Sequence, residues 1–308
     1  MEINLADFYS RLGTVAVLLA LGFLLGKLKL ISAETNKQLV NLLLMVFMPA
    51  ALFSAFPATY SEASLQMFFS GLAGGFIVML AGIIASRLIF NKRLFKKDLH
   101  YESQFAFIFN NATFLGYPII SHAFGEAGVV PYCGFIIAFN LALFSYGIYL
   151  FEHKLSWHLV RQTVTNPNII AVLLGMVCFL LNFQIPSFLN DAISFTGSAT
   201  TPLSLICIGY MLSRAKIIKL LKRWRLLIVA AIQLTVSPII THFILFGLGF
   251  PSEVVVVCTL IQALPTATSL GLFAAKYGGN ETESSELVTI STLLSIVTLP
   301  LIISIFLV

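Results

Sequence analysis

The chain has 308 residues, of which 58% are hydrophobic and only 10% charged, with a formal net charge of +5 and a mean hydropathy of +0.96. A soluble domain carries about 25% charged residues. A soluble enzyme, a nucleic-acid binder and a disordered chain are therefore excluded as readings, and a polytopic membrane protein remains.

Continuous apolar runs, rather than alternation at every second residue, point to helical spans and away from a transmembrane barrel. The first run, Gly13–Leu25, ends in Lys27 and Lys29, a membrane-stop pattern. Read onward, apolar runs bounded by turn and charge signals predict ten spans, roughly 8–30, 36–56, 64–90, 102–124, 127–151, 167–184, 189–212, 224–249, 253–276 and 284–307. With both termini outside, 17 of the 18 Lys and Arg residues fall in inner loops or at their edges, and Arg11 alone lies outside. One missed helix would scramble every later loop, so the split supports the count, the orientation and a cytoplasmic-membrane location. The same bias accounts for the basic net charge without nucleic acid. Cys133, Cys178, Cys207 and Cys258 lie inside apolar runs without CxxC spacing and read as buried residues, not metal ligands.

Five helices per half require any internal repeat to be inverted in the membrane. Span 4 contains NNATFLGYPIISHAFGEAG and span 9 contains ALPTATSLGLFAAKYGGNE. Ala112-Thr113, Leu115-Gly116 and Glu126 match Ala267-Thr268, Leu270-Gly271 and Glu281 at an offset of 155 residues. In spans 2 and 7, Pro49 and Leu52 match Pro202 and Leu205 at an offset of 153. The expected organisation is a first five-helix repeat over 1–151, a short linker over 152–166, and an inverted repeat over 167–308. Inverted repeats are a transporter signature, with the substrate near the midplane on broken helices.

Spans 4 and 9 carry the breaks. Gly116 and Pro118 come after Asn110, Asn111 and Thr113; Pro265 is flanked by Gln262, Thr266, Thr268 and Ser269. Proline removes a backbone donor and frees carbonyls. Each break creates a half-helix whose N-terminus carries roughly half a positive charge and free N–H groups. Two such ends crossing would hold a carboxylate with no buried Lys or Arg, and no basic residue lies mid-span. The freed carbonyls offer a place for a cation near Asn111, Gln262 and Thr266. No acidic residue lies deep in a span, so coupling to protons, to sodium or to the membrane potential alone stays open. Asn140, Asn182 and Gln233 read as bonds between helices, and Gly22/Gly26 and Gly71/Gly75 as close-packing pairs. Glu126 and Glu281 read as helix-start residues. Nothing has the spacing of an intramembrane enzyme.

These residues resemble the auxin efflux carrier family, which includes plant auxin carriers and bacterial permeases for malate, malonate and similar anions. The resemblance covers essentially the whole chain. NPNIIAVLLGM from Asn166, ALPTATSLGLFAAKYG from Ala263 and NNATFLGYPII from Asn110 look like the family's entry to helix 6 and its two crossovers. The short stretch between helices 5 and 6 departs from the long loop of plant carriers and favours a bacterial permease. The resemblance implies an all-α membrane protein in which helices 1, 2, 6 and 7 form a scaffold, often dimeric. Helices 3–5 and 8–10 would form an elevator-like transport domain. It also implies that Asn111 and the Asn166/Asn168 pair give polar contacts to a small organic anion, and that Met48 lines the site from the scaffold. No cofactor is implied beyond a coupling ion, H+ or Na+. The rival expectation is a sodium-coupled symporter of the related bile-acid fold.

Overall fold

The computed structural model describes residues 5–56, 61–91, 99–153, 165–214, 217–220 and 222–306, without the side chains of residues 5–12, 217 and 218. Lys92, Arg93, Lys96, Lys97, Lys154, Arg161 and Lys216 of the one-sided charge count lie outside the described residues, as does the side chain of Arg11 and most of the expected 152–166 linker.

Helices are the main regular structure of the described residues, which form no strand beyond one isolated bridge. In chain order the helices are α1 (Leu5–Lys27), α2 (Ala33–Phe53), α3 (Glu62–Ile89), α4 (His100–Ile108), α5 (Tyr117–Phe124), α6 (Glu126–Glu152) and α7 (Pro167–Leu180). They continue with α8 (Ser187–Ser213), the single turn α9 (Ile217–Leu220), α10 (Trp224–Gly247), α11 (Ser252–Gln262), α12 (Ser269–Tyr277) and α13 (Glu281–Phe306). Six of them, α2, α3, α6, α8, α10 and α13, are long and apolar enough to cross a membrane. Gly13–Lys27, α7 and α11 are shorter apolar helices. Their outer faces are apolar: Leu88, Phe195 and Leu272 stand 72%, 83% and 73% exposed, which only a lipid environment tolerates over so much of a surface.

Local chemistry sets the helix starts. The Ser32 hydroxyl accepts from the Thr35 N–H at 3.0 Å at the head of α2. The Asn166 side chain accepts from the Asn168 N–H at 2.9 Å, with Pro167 in the first turn of α7. Glu126 and Glu281 open α6 and α13, where a carboxylate suits the helix dipole.

The helices pack in two sets. In one, α1 lies against α8 and α2 against α7; in the other, α3 lies against α6 and α10 against α11 and α13. Small residues decide how closely they approach. A Cβ on Gly22 would overlap the backbone of Ile206, and one on Gly209 the carbonyl of Leu19, so α1 and α8 touch backbone to backbone. Gly71 meets the backbone of Pro131 in the same way, and Gly134 that of Phe68, between α3 and α6. Between the sets, α5 crosses α1 and α8, and α7 touches α6. Arg223 ties the head of α10 to α13 through Glu283 at 3.3 Å and Glu286 at 2.9 Å.

Candidate substrate-binding site

The stretches expected as spans 4 and 9 are both broken, and the breaks cross. α4 stops at Ile108, and the chain resumes helix through a π turn over Ala112–Gly116 that leads into α5. α11 stops at Gln262, and α12 starts at Ser269. The two extended stretches pair antiparallel: the Asn111 N–H donates to the Pro265 carbonyl at 2.7 Å, and the Ala267 N–H to the Phe109 carbonyl at 2.9 Å. Unwound backbone inside a bilayer needs partners, and here each break supplies them to the other.

A buried polar junction locks this crossing. The Asn110 amide donates to the Gln262 carbonyl at 3.2 Å and also to its side-chain oxygen. Gln233, on α10, donates to Asn110 Oδ1 and to the Leu264 carbonyl, each at 2.8 Å. Ser237, one turn on, donates to Gln262 Oε1 at 2.7 Å. The Tyr132 hydroxyl of α6 donates to the Ala112 carbonyl at 3.0 Å, and the Thr266 N–H donates to Ser291 Oγ of α13 at 3.1 Å. Thr266 Oγ1 and Gln233 Oε1 are buried there with no partner.

Beside the junction lies a cavity of about 230 Å³ between the two helix sets. Asn110, Asn111, Thr113, Asn166, Asn168 and Thr268 all line it. Asn111 Oδ1 accepts from the Phe114 N–H at 3.2 Å, so its amide N–H groups are left for the cavity. α12 opens without a side-chain cap; the Leu270 N–H turns back to the Ala267 carbonyl at 3.1 Å, and the N–H groups of Thr268 and Ser269 at its head are left for the cavity. Among the described residues, the lining contains no Lys, Arg, His, Asp or Glu. It is a set of neutral donors on one apolar wall, Phe139, Phe144 and Leu143.

Three π turns shape the wall. They cover Leu43–Phe47 in α2, Ala112–Gly116 before α5 and Leu143–Gly147 in α6. Each sends two residues to the cavity: Leu44 and Met45, Thr113 and Phe114, Leu143 and Phe144. A π turn adds a residue to the helix and rotates the next turn about the axis, so it can re-aim side chains at a functional site.

Six of the twelve expected residues therefore share the cavity, and the others stand around it. Gly116 packs under Leu264, where a Cβ would sit 3.3 Å from Leu264 Cδ1. Pro118 is in the first turn of α5. Gln262 and Thr266 are in the junction. Pro265 faces a second, mostly apolar cavity of about 300 Å³ with Leu115 and Thr292. Met48 is fully buried one turn beyond Met45, which is the residue that reaches the cavity. Gln233 does bond between helices, and at the crossover itself; Asn140 bonds to its own helix, at the Ile136 carbonyl, and lines the cavity. Ser237, Ser291 and Tyr132 carry no sequence signal that sets them apart from other polar residues in apolar runs. Glu102 is a buried acid in the first turn of α4, accepting from the Asn280 N–H at 2.8 Å. Among the described residues, no three His, Cys, Asp or Glu side chains gather as a metal site.

Apolar helices around a crossed, neutral polar centre define a membrane transporter. The chain belongs to the membrane transport protein family, whose pattern matches residues 8–157 and again 153–303; this is the auxin efflux carrier family that the sequence resembles. It is 24% identical to an uncharacterized transporter of Methanothermobacter thermautotrophicus over 94% of this chain and 95% of that one. It is 22% identical to the "Putative malonate transporter" of Rhizobium meliloti over 91% of this chain and 90% of the relative. It is 35% identical to the "Uncharacterized sodium-dependent transporter YocS" of Bacillus subtilis over 42% of this chain and 41% of the relative.

Proposed function

We propose that this protein is a secondary transporter of a small organic anion, a carboxylate or dicarboxylate, bound at the crossing of spans 4 and 9. The observation that carries this reading is the cavity in which Asn111, Asn166 and the head of α12 present neutral N–H donors with no counter-charge. Such donors hold a carboxylate without a buried cation. The name of the Rhizobium meliloti relative favours a dicarboxylate.

In this reading the chain spans the cytoplasmic membrane ten times, with both termini outside. α4 with α5 and α11 with α12 are the two broken spans of an inverted repeat, divided at the 152–166 linker. The set holding α1, α2, α7 and α8 is the scaffold, through which two copies pair. The other set carries the anion in an elevator-like step, and the sparse contacts between the sets are consistent with that. Met48 acts from behind Met45. Gly116, Pro118, Gln262, Pro265 and Thr266 hold the crossing in shape, while Asn110 serves both junction and cavity.

A second reading, sodium-coupled symport, is favoured by the Bacillus subtilis relative and by the unpartnered oxygens of Thr266 and Gln233. Oxygen ligands of this kind suit a hard cation. Uptake of labelled malonate into proteoliposomes, with and without a sodium gradient, tests both. Saturable uptake that Asn111→Ala abolishes while the protein stays monodisperse is the expected result. Full uptake by that variant would remove the crossing as the site, and indifference to sodium would remove the symport reading.

A further inference from the structure

A second polar cavity, of about 370 Å³, lies where α3 ends, α4 begins and α6 ends. Among the described residues, it shares no lining residue with the crossing. Arg87 comes from α3, His100 and Gln104 from α4, and Tyr146, Tyr149 and His153 from α6.

The groups are held in place before any ligand arrives. Arg87 lies 5.3 Å from the centre of the Tyr146 ring and donates from Nε to the Tyr146 hydroxyl at 3.0 Å. That bond fixes the guanidinium plane and keeps both terminal nitrogens for another acceptor. Among the described residues no carboxylate pairs with Arg87, and none lines the cavity. The Gln104 amide nitrogen is 3.2 Å from His100 Nε2. An amide nitrogen can only donate, so His100 accepts there and carries its proton on Nδ1. Gln104 also donates to the Phe90 carbonyl at 3.3 Å. Tyr101 bridges the two histidines, with ring centres 4.9 Å from His100 and 4.8 Å from His153.

We propose that this cavity is a binding site for a phosphate group, separate from the transported anion. The donors left for a ligand come from two helices, the terminal nitrogens of Arg87 from α3 and the hydroxyls of Tyr146 and Tyr149 from α6, and they do not share one plane, which suits a tetrahedral oxyanion. A planar guanidinium fork engages two phosphate oxygens at once. The site is built from helix ends, which in a membrane protein stand at headgroup level, and basic pockets between spans at that level take anionic lipid headgroups. The volume exceeds a bare phosphate and leaves room for the glycerol of a headgroup. A lipid phosphate and a free phosphate share this chemistry, and the test separates them.

Delipidated protein in phosphate-free detergent buffer is titrated, with thermal unfolding as the readout, against three probes. These are dioctanoyl phosphatidylglycerol, inorganic phosphate at constant ionic strength, and dioctanoylglycerol, which has the chains without the phosphate. A saturable rise in unfolding temperature with phosphatidylglycerol alone assigns a lipid. A rise with inorganic phosphate, alone or as well, assigns a soluble phosphate. In either case Arg87→Gln weakens the apparent affinity on the order of 10- to 100-fold, the loss of a charge-assisted bond. Arg87→Lys, which keeps the charge and loses the fork, falls between. No shift with either phosphate probe, an equal shift with dioctanoylglycerol, or undiminished affinity in Arg87→Lys and Arg87→Gln would overturn the proposal. If Arg87→Gln does not fold, unchanged affinity in Arg87→Lys alone overturns it.

Discussion

Two asparagines next to each other do different work. Asn110 is fully buried, and its amide bonds to α10 and α11. Asn111 uses its oxygen to cap the turn at Phe114 and offers its nitrogen to the cavity. Asn111→Asp keeps the capping oxygen and replaces the N–H donors with an acceptor that repels an anion. We expect malonate uptake to vanish in proteoliposomes while the unfolding temperature holds. Gln233→Leu is the converse. It leaves Asn110 Oδ1 and the Leu264 carbonyl without their donor, at a cost of roughly 1–2 kcal/mol, seen as an unfolding temperature lower by several degrees. The sequence singles out Asn111, because an Asn-Asn-x-Thr stretch before Gly and Pro is unusual at membrane depth. It does not separate the two roles, since which amide turns to the junction depends on where α10 and α11 stand.

Among the elements, the breaks are written locally. Proline lacks the N–H that would continue a helix, so Pro118 and Pro265 mark their spans wherever these pack. The partner of each break is not local: Asn111 pairs with Pro265, and Phe109 with Ala267. The π turns at Leu43–Phe47, Ala112–Gly116 and Leu143–Gly147 have no signature of their own, for an extra residue in a helix shows only against its neighbours. Close helix pairs are again legible, through glycine spacing. Gly22→Val would drive a side chain into the backbone of Ile206, which cannot yield as a flexible side chain does. Loss of the monodisperse peak on fluorescence-detected size exclusion is expected for that variant, while Gly13→Val, in open space, elutes as the parent.

For the molecule as a whole, the proposed orientation rests on charge. It puts Lys29, between α1 and α2, on the basic side and Asn182, between α7 and α8, on the other. A cysteine at Asn182 should react with an impermeant maleimide in intact cells. One at Lys29 should react only after the membrane is opened, measured against the parent with its four native cysteines. The reverse pattern would invert the topology. Across the chain, the sequence by itself determined that the protein lives in a membrane, where its helices break and which family it belongs to. Those rest on apolar length, proline chemistry and residue pattern, all properties of neighbouring residues. Only the tertiary structure decided that the two breaks pair, that Met45 and not Met48 reaches the cavity, and that Gln233 and Ser237 join the crossing. Those depend on the rotation and depth of one helix against another, which packing fixes and no single stretch of chain encodes.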